Sequence, residues 1–253
     1  MTNPKQTAFQ RLLDIMDDLR EKCPWDQKQS IQSLRHLTIE ETYELSEAIV
    51  NEDFEEIKKE LGDLFLHLVF YSKIASEKNK FDVEEVLNQV CEKLIRRHPH
   101  IYGNTTVENA EEVKQNWEQI KLREGNKSVL GGVPKVLPNL VKALRMQDKA
   151  AQVGFDWTSK QEVWGKYEEE LLEFTQSQTD KEKEEEFGDL LFSLINVARW
   201  EGVNPDDALE KANKKFRKRF EHLEKMAKKE EKILSDLTLS EMNNYWEQAK
   251  KEN

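Results

Sequence analysis

The chain has 253 residues, of which 50 are acidic and 39 basic, giving a formal net charge of -11 at pH 7. A protein that binds polyanions displaces their counterions with a cationic surface, so this balance excludes general nucleic-acid affinity; it leaves a small phosphorylated ligand open. With 37% hydrophobic and 35% charged residues and only 9 Gly and 6 Pro, turn material is scarce, and a heavily solvated helical architecture is favoured over a sheet-rich one.

Helical periodicity runs from Phe9 to Leu19, from about Leu37 to Val50, from Phe54 to Ser76 and from Val83 to Arg97, so four helices fill the first half. Helix breakers then gather between Arg123 and Asn139, where Glu-Gly-Asn-Lys-Ser is followed by Gly131-Gly132, Pro134 and Pro138. That density places a linker at residues 124–139, between domains at 1–123 and 140–253. The opening Met1-Thr2-Asn3-Pro4-Lys5 carries no signal-like apolar stretch, and nowhere do about 18 uncharged apolar residues run together. Cys23 and Cys91 are too isolated for a disulfide framework or a zinc site. A cytoplasmic protein without membrane attachment is the expectation.

The two halves repeat each other. Glu40-Glu41-Thr42-Tyr43-Glu44 and then Glu60-Leu61-Gly62-Asp63-Leu64-Phe65 are answered by Glu169-Glu170-Leu171-Leu172-Glu173 and then Glu186-Phe187-Gly188-Asp189-Leu190-Leu191. The register shift is 170 − 41 = 129 for the first block and 189 − 63 = 126 for the second, which predicts a connecting turn three residues shorter in the second copy. Outward from these blocks, Pro24-Trp25-Asp26 is answered by Gly154-Phe155-Asp156 and the basic run Lys93 to Arg97 by Lys215 to Arg219. Trp117-Glu118-Gln119 is answered by Trp246-Glu247-Gln248, each Trp preceded by a capping-box pair, Asn109 with Glu112 and Thr238 with Glu241. The expected fold is all-α, two tandem helical-bundle domains. Hairpins apolar on several faces cannot bury themselves alone, so a dimer is expected as well.

Residues three apart share a helix face, so Glu41 with Glu44 and Glu170 with Glu173 form carboxylate edges, faced by Glu60 with Asp63 and Glu186 with Asp189. Four carboxylates drawn together by a hairpin repel one another unless a cation compensates. All-oxygen ligands suit Mg²⁺, with Mn²⁺ as a substitute, whereas zinc would call for His or Cys and a di-iron bundle for Glu-x-x-His, which the chain lacks. With roughly one residue in five acidic, one such set arises by chance about once in several hundred registers, but two ordered copies do not. The apolar context of Leu61, Leu64, Phe65, Leu66, Leu68, Val69 and Phe70 also argues against a merely solvated face. No Gly-x-x-x-x-Gly-Lys-Ser/Thr exists, which excludes a P-loop.

The ordered set Glu-Glu-x-x-Glu then Glu-x-x-Asp, the entry Cys23-Pro24-Trp25-Asp26, the phrase Arg96-Arg97-His98-Pro99-His100-Ile101-Tyr102-Gly103 and the later Val153-Gly154-Phe155-Asp156-Trp157 resemble the MazG family of nucleoside triphosphate pyrophosphohydrolases in its tandem form. The resemblance covers nearly the whole chain. It implies Mg²⁺-dependent hydrolysis of nucleoside triphosphates to nucleoside monophosphate and diphosphate, on an all-α homodimer whose C-terminal copy is the catalytic one; because stacking and phosphate contacts tolerate every nucleobase, broad base specificity is expected. Carried over by position, metal ligands fall on Glu170, Glu173, Glu186 and Asp189, and nucleotide contacts on Lys166, Glu169, Glu185, Lys215, Arg217, Lys218, Arg219 and Trp246.

Among Glu169, Glu170 and Glu173 one acts as general base, a choice the sequence leaves open. Five basic residues lie within Lys214 to Arg219, against three in Lys93 to Arg97, which also assigns turnover to the second repeat. Glu41, Glu44, Glu60 and Asp63 then form a metal-competent set of structural or regulatory use. Two other classes compete with the enzyme: a nucleotide-binding regulator without turnover, and an acidic helical adaptor whose repeats only build an interface.

Overall fold

The computed structural model describes residues 3–109, 112, 113, 116, 117, 120, 124 and 128–251. It is all-helical, with no strand among the described residues. The chain divides into two compact units, Met1–Asn109 and Ala110–Asn253. Glu118 and Gln119 of the first expected Trp-Glu-Gln motif lie outside the described residues, as do 125–127 of the expected linker.

In the first unit the helices are α1 (Pro4–Lys22), α2 (Pro24–Lys28), α3 (Ile31–Val50), α4 (Phe54–Glu77), α5 (Val83–Arg97) and α6 (Pro99–Tyr102). Each start is written in the sequence. Ser30 and Ser33 close a capping box on α3, Asp53 accepts from the backbone N–H of Glu55 and Glu56 at the head of α4, and Asp82 with Glu85 boxes α5. Helices α3 and α4 pack as an antiparallel pair on α1, and Met16, Leu34, Val69, Phe70 and Ile74 interlock between them. This core is closed: Phe70 is 2% exposed, and the Arg20 guanidinium lies over its ring at 5.6 Å.

The second unit contains α7 (Asn139–Gln152), α8 (Lys160–Gln176), α9 (Asp180–Trp200), α10 (Pro205–Lys229) and α11 (Leu239–Lys251). Ser159 caps α8, and a Thr179–Glu182 box starts α9. Again an antiparallel pair, α8 and α9, packs on a preceding helix, α7. A second core forms where α10 meets α11 around Leu223, Ala227, Leu237 and Tyr245. The expected Thr238–Glu241 box is present, with the Thr238 N–H donating to Glu241 Oε2 at 2.9 Å and the Glu241 N–H to Thr238 Oγ1 at 3.3 Å.

Two expectations are corrected. The first unit has six described helices where four were expected, because α2 and α6, started by Pro24 and Pro99, are too short to show a periodicity. The hairpin turns are equally long, residues 51–53 and 177–179. The three-residue difference lies in the preceding helix, which runs nine residues past Glu41 to Val50 (50 − 41 = 9) but six past Glu170 to Gln176 (176 − 170 = 6). Losing three residues is close to one helical turn of 3.6, so the carboxylate face is nearly preserved; a shorter loop would have had to close the same helix ends with less chain.

Candidate active site

In the first hairpin, ligand atoms of Glu41, Glu60 and Asp63 come within 4.8 Å of one another. Glu44, one turn along α3, is exposed and reaches Glu41 through its charge. Glu60 is 2% exposed; its Oε1 accepts from Lys59 Nζ at 3.0 Å, a bond that holds its pKa below the usual carboxylate range, while its Oε2 is buried with no N–H or hydroxyl donor. Glu41 could supply a donor only by keeping a proton. Burial, then hydrogen bonding with Glu60 and the charges of Asp63 and Glu44, push the Glu41 pKa upward.

In the second hairpin the buried Glu170 belongs to two triads, one with Glu169 and Glu173 along α8 and one with Glu186 and Asp189 across to α9, each with ligand atoms within 4.8 Å. Of the four expected ligands, Glu173, Glu186 and Asp189 therefore stand around the fourth, the buried Glu170. Burial, then repulsion from Glu173, Asp189, Glu170 and Glu185, raise the Glu186 pKa. Lys166 donates to Glu169 at 2.6 Å and lies 2.7 Å from Glu170, and both bonds raise its own pKa. Carboxylates that repel one another around the buried Glu170, all offering oxygen, fit a hard divalent cation; the same set could hold Mg²⁺ or Mn²⁺.

Beside these carboxylates the second unit opens a cavity of about 610 Å³, within the size range of small-molecule sites. Lys166, Glu170 and Asp189 lie on its wall with Phe155, Trp157 and Asn196. The loop carrying Phe155 and Trp157 turns at Gly154, whose φ of +88° is a left-handed conformation that suits glycine. Asp156 then pins the loop to α9. It accepts from Arg199 Nη1 at 2.9 Å, again from Arg199 Nη2, and from Trp200 Nε1 at 3.1 Å. Burial raises the Asp156 pKa, but these three bonds and the Trp157 N–H together bring it below its ordinary value.

The first repeat fills the equivalent volume. At the register shift of 126, Asn196 stands where the first repeat has Phe70 (196 − 70 = 126) and Ser193 where it has His67 (193 − 67 = 126). Gly154-Phe155-Asp156 answers Pro24-Trp25-Asp26 at a shift of 130, which sets Ala150 against Arg20 (150 − 20 = 130). A buried ring, an imidazole and the guanidinium over that ring are replaced by two small polar side chains and a methyl group. Space on the carboxylate side of the second repeat follows from those substitutions.

Comparison with known proteins agrees with the doubled architecture. The family model for the MazG nucleotide pyrophosphohydrolase domain matches twice, over residues 29–102 and 167–224. The chain belongs to the MazG family. It is 44% identical over 247 residues to the nucleoside triphosphate pyrophosphohydrolase/pyrophosphatase MazG of Thermotoga maritima, covering 96% of this chain and 95% of that one. To the nucleoside triphosphate pyrophosphohydrolase of Escherichia coli K12 it is 39% identical over 254 residues, covering 96% and 97%. The uncharacterized protein YabN of Bacillus subtilis is 42% identical over 251 residues, 96% of this chain and 51% of that protein. The MazG family is one of metal-dependent hydrolases acting on acid anhydrides, and this chain is an enzyme of that class.

The remaining residues carried over from the MazG resemblance sit apart from the cavity wall. Glu185 is exposed on α9, and Lys215, Arg217 and Lys218 are exposed along α10. Arg219 lies over the Trp246 ring at 5.8 Å, and Phe216 packs against that ring at 5.1 Å, so the indole has protein neighbours. Sequence reasoning missed the cavity residues Gln147, Asn196 and Arg199. A position-by-position comparison of the two repeats would have exposed Asn196, because a core phenylalanine exchanged for asparagine loses packing with no structural return.

Proposed function

We propose that this chain is a Mg²⁺-dependent nucleoside triphosphate pyrophosphohydrolase whose C-terminal repeat performs the reaction, with Mn²⁺ able to replace Mg²⁺. The observation that carries this reading is the cavity of about 610 Å³ opening beside Glu170 and Asp189, in the volume that the first repeat fills with Phe70 and Arg20. A triphosphate held there has its nucleoside between Phe155 and Trp157 and its phosphates toward the carboxylates. Attack of water at the α-phosphorus releases nucleoside monophosphate and diphosphate.

Glu170, Glu173, Glu186 and Asp189 would hold the cation. When bound it supplies charge neutralisation on the phosphates and a water of lowered pKa. Lys166 restrains Glu169 and Glu170 and offers its ammonium to a phosphate oxygen. One of Glu169, Glu170 and Glu173 accepts the proton of the attacking water. Lys215, Arg217, Lys218, Arg219, Trp246 and Glu185 stand apart from this cavity wall and are assigned no contact within it. Apolar walls and phosphate charge pair with any nucleobase, which supports broad base specificity.

The set Glu41, Glu44, Glu60 and Asp63 binds a cation without hydrolysis, and its repeat serves structure or regulation. We further propose a cytoplasmic homodimer without stable nucleic-acid binding. The free Cys23 and Cys91 and the net charge of -11 support this, as do Phe65 at 54% and Leu68 at 59% exposed on α4. No helix among the described residues is long and apolar enough to cross a membrane. A diphosphate-release assay on mixed nucleoside triphosphates with Mg²⁺ tests the proposal: turnover is expected, and magnesium-dependent binding without turnover would make the chain a regulator instead.

A further inference from the structure

Gln147 of α7 is 7% exposed and lies on the wall of the C-terminal cavity. Its Nε2 donates to the backbone carbonyl of Phe192 on α9 at 2.8 Å. A carbonyl can only accept, so this bond fixes which end of the amide is which: the nitrogen faces Phe192 and the oxygen must point elsewhere. That oxygen, Oε1, is buried and has no hydrogen-bond partner. Buried acceptors are nearly always satisfied, and one left open on the wall of a ligand-sized cavity marks where a donor is missing.

Asn196 supplies the complementary group from α9. Its Oδ1 accepts from Arg199 Nε at 3.0 Å, which fixes that amide too and turns the Nδ2 donor away from the guanidinium. Two amides on one wall, each oriented by an intramolecular bond, thus offer one acceptor and one donor. No phosphate has a use for the acceptor. A nucleobase does, because the Watson–Crick edge of every common base sets an N–H beside an acceptor.

We infer that Gln147 reads the base edge, accepting an N–H of the nucleobase through Oε1 while Asn196 donates to the neighbouring acceptor. This rests on the cavity's being the nucleoside site of the proposed function. The selection is for a hydrogen-bonding edge and not for one base: adenine, cytosine, guanine and uracil all satisfy it. A purine that lacks both the exocyclic amine and a protonated ring nitrogen on that edge does not. Gln147 is a specificity-determining residue, and the Phe192 carbonyl is what keeps it oriented.

The experiment measures equilibrium binding, with Mg²⁺, of the α,β-methylene analogues of ATP and of purine riboside triphosphate, whose blocked bond prevents turnover. In the full-length wild-type protein the ATP analogue is expected to bind about ten- to hundredfold more tightly, the range for a buried acceptor left unpaired. In Gln147→Met that ratio falls to about one. Gln147→Glu, which keeps an acceptor but loses the bond to Phe192, retains a preference above threefold. A wild-type ratio near one overturns the inference, as does a ratio that survives in Gln147→Met; the wild-type comparison needs no variant to fold. Because binding is read apart from hydrolysis, a preserved ratio without diphosphate release from ATP would sink the hydrolase reading and leave this one standing. A lost ratio with normal release would do the reverse.

Discussion

Replacing Asn196 by Phe puts into the second repeat the ring that the first repeat buries at Phe70, and the consequences for stability and activity have opposite signs. The lost interaction is the Arg199 Nε bond to Asn196 Oδ1 at 3.0 Å; Arg199 keeps both bonds to Asp156, so the loss is at the low end for a charged donor, about 1 to 1.5 kcal/mol. The gain is burial of most of a phenyl ring in an existing cavity of about 610 Å³, roughly 1.5 to 3 kcal/mol with no overpacking to offset it. The variant should therefore be as stable as wild type or about 1 to 2 kcal/mol more so, a rise in Tm of several degrees at about 2 to 4 °C per kcal/mol. Activity should fall, because the ring occupies the nucleoside's place. Base contacts are worth about 1 to 3 kcal/mol, so kcat/KM should drop roughly ten- to hundredfold. Scanning calorimetry, diphosphate release and Mg²⁺ titration of the same preparation separate these effects, with metal affinity expected to hold. Wild-type kcat/KM in a folded Asn196→Phe protein would refute the cavity as the nucleoside site.

Asp189→Ala and Glu173→Ala should each lower kcat by on the order of a hundredfold or more while the protein stays folded, since losing a ligand also relieves carboxylate repulsion; near-normal turnover in either would remove that residue from the site. Lys166→Met should raise KM or lower kcat while the protein stays folded; its ion pair with Glu169 is partly solvated, so the stability lost comes mainly from the buried Glu170 left with less compensation, and unchanged kinetics would deny Lys166 a phosphate contact. Glu186 has a folded pKa above its ordinary 4.5, so its ionised form costs stability at neutral pH, a cost that disappears as pH falls through the folded pKa toward the unfolded value. In EDTA, Glu186→Gln should accordingly melt higher than wild type near neutrality, with the gap closing on acidification; a variant that melts lower at neutral pH would show that repulsion there is already compensated. Sedimentation should give a dimer at micromolar concentration, and a compact monomer would count against the homodimer.

What was legible in the sequence was what is local or repeated. The α4 hydrophobic run predicted Phe54 to Ser76 against an observed Phe54–Glu77, and α5 matched at Val83–Arg97, because an Asp cap marks each start. The carboxylate sets were legible because i,i+3 spacing fixes a face before any tertiary contact forms. The cavity was not, since it depends on Gln147, Phe155 and Asn196 arriving together from α7, a loop and α9. Sequence spacing also could not tell a shortened loop from a shortened helix, and the three residues missing after Glu170 come from the helix. The basic run illustrates a different limit. Composition weights Lys215, Arg217, Lys218 and Arg219 alike, whereas packing separates the exposed three from an Arg219 held over Trp246.

Whether the second repeat hydrolyses nucleoside triphosphates and the first does not is decided by comparing Glu41→Ala plus Glu44→Ala with Glu170→Ala plus Glu173→Ala. Both double variants are assayed for nucleoside monophosphate and diphosphate at saturating nucleoside triphosphate and Mg²⁺. The first pair should keep most of the wild-type kcat, and the second should lose turnover on the order of a hundredfold or more. A silent first pair beside an active second pair would place the reaction at Glu41, Glu60 and Asp63 instead.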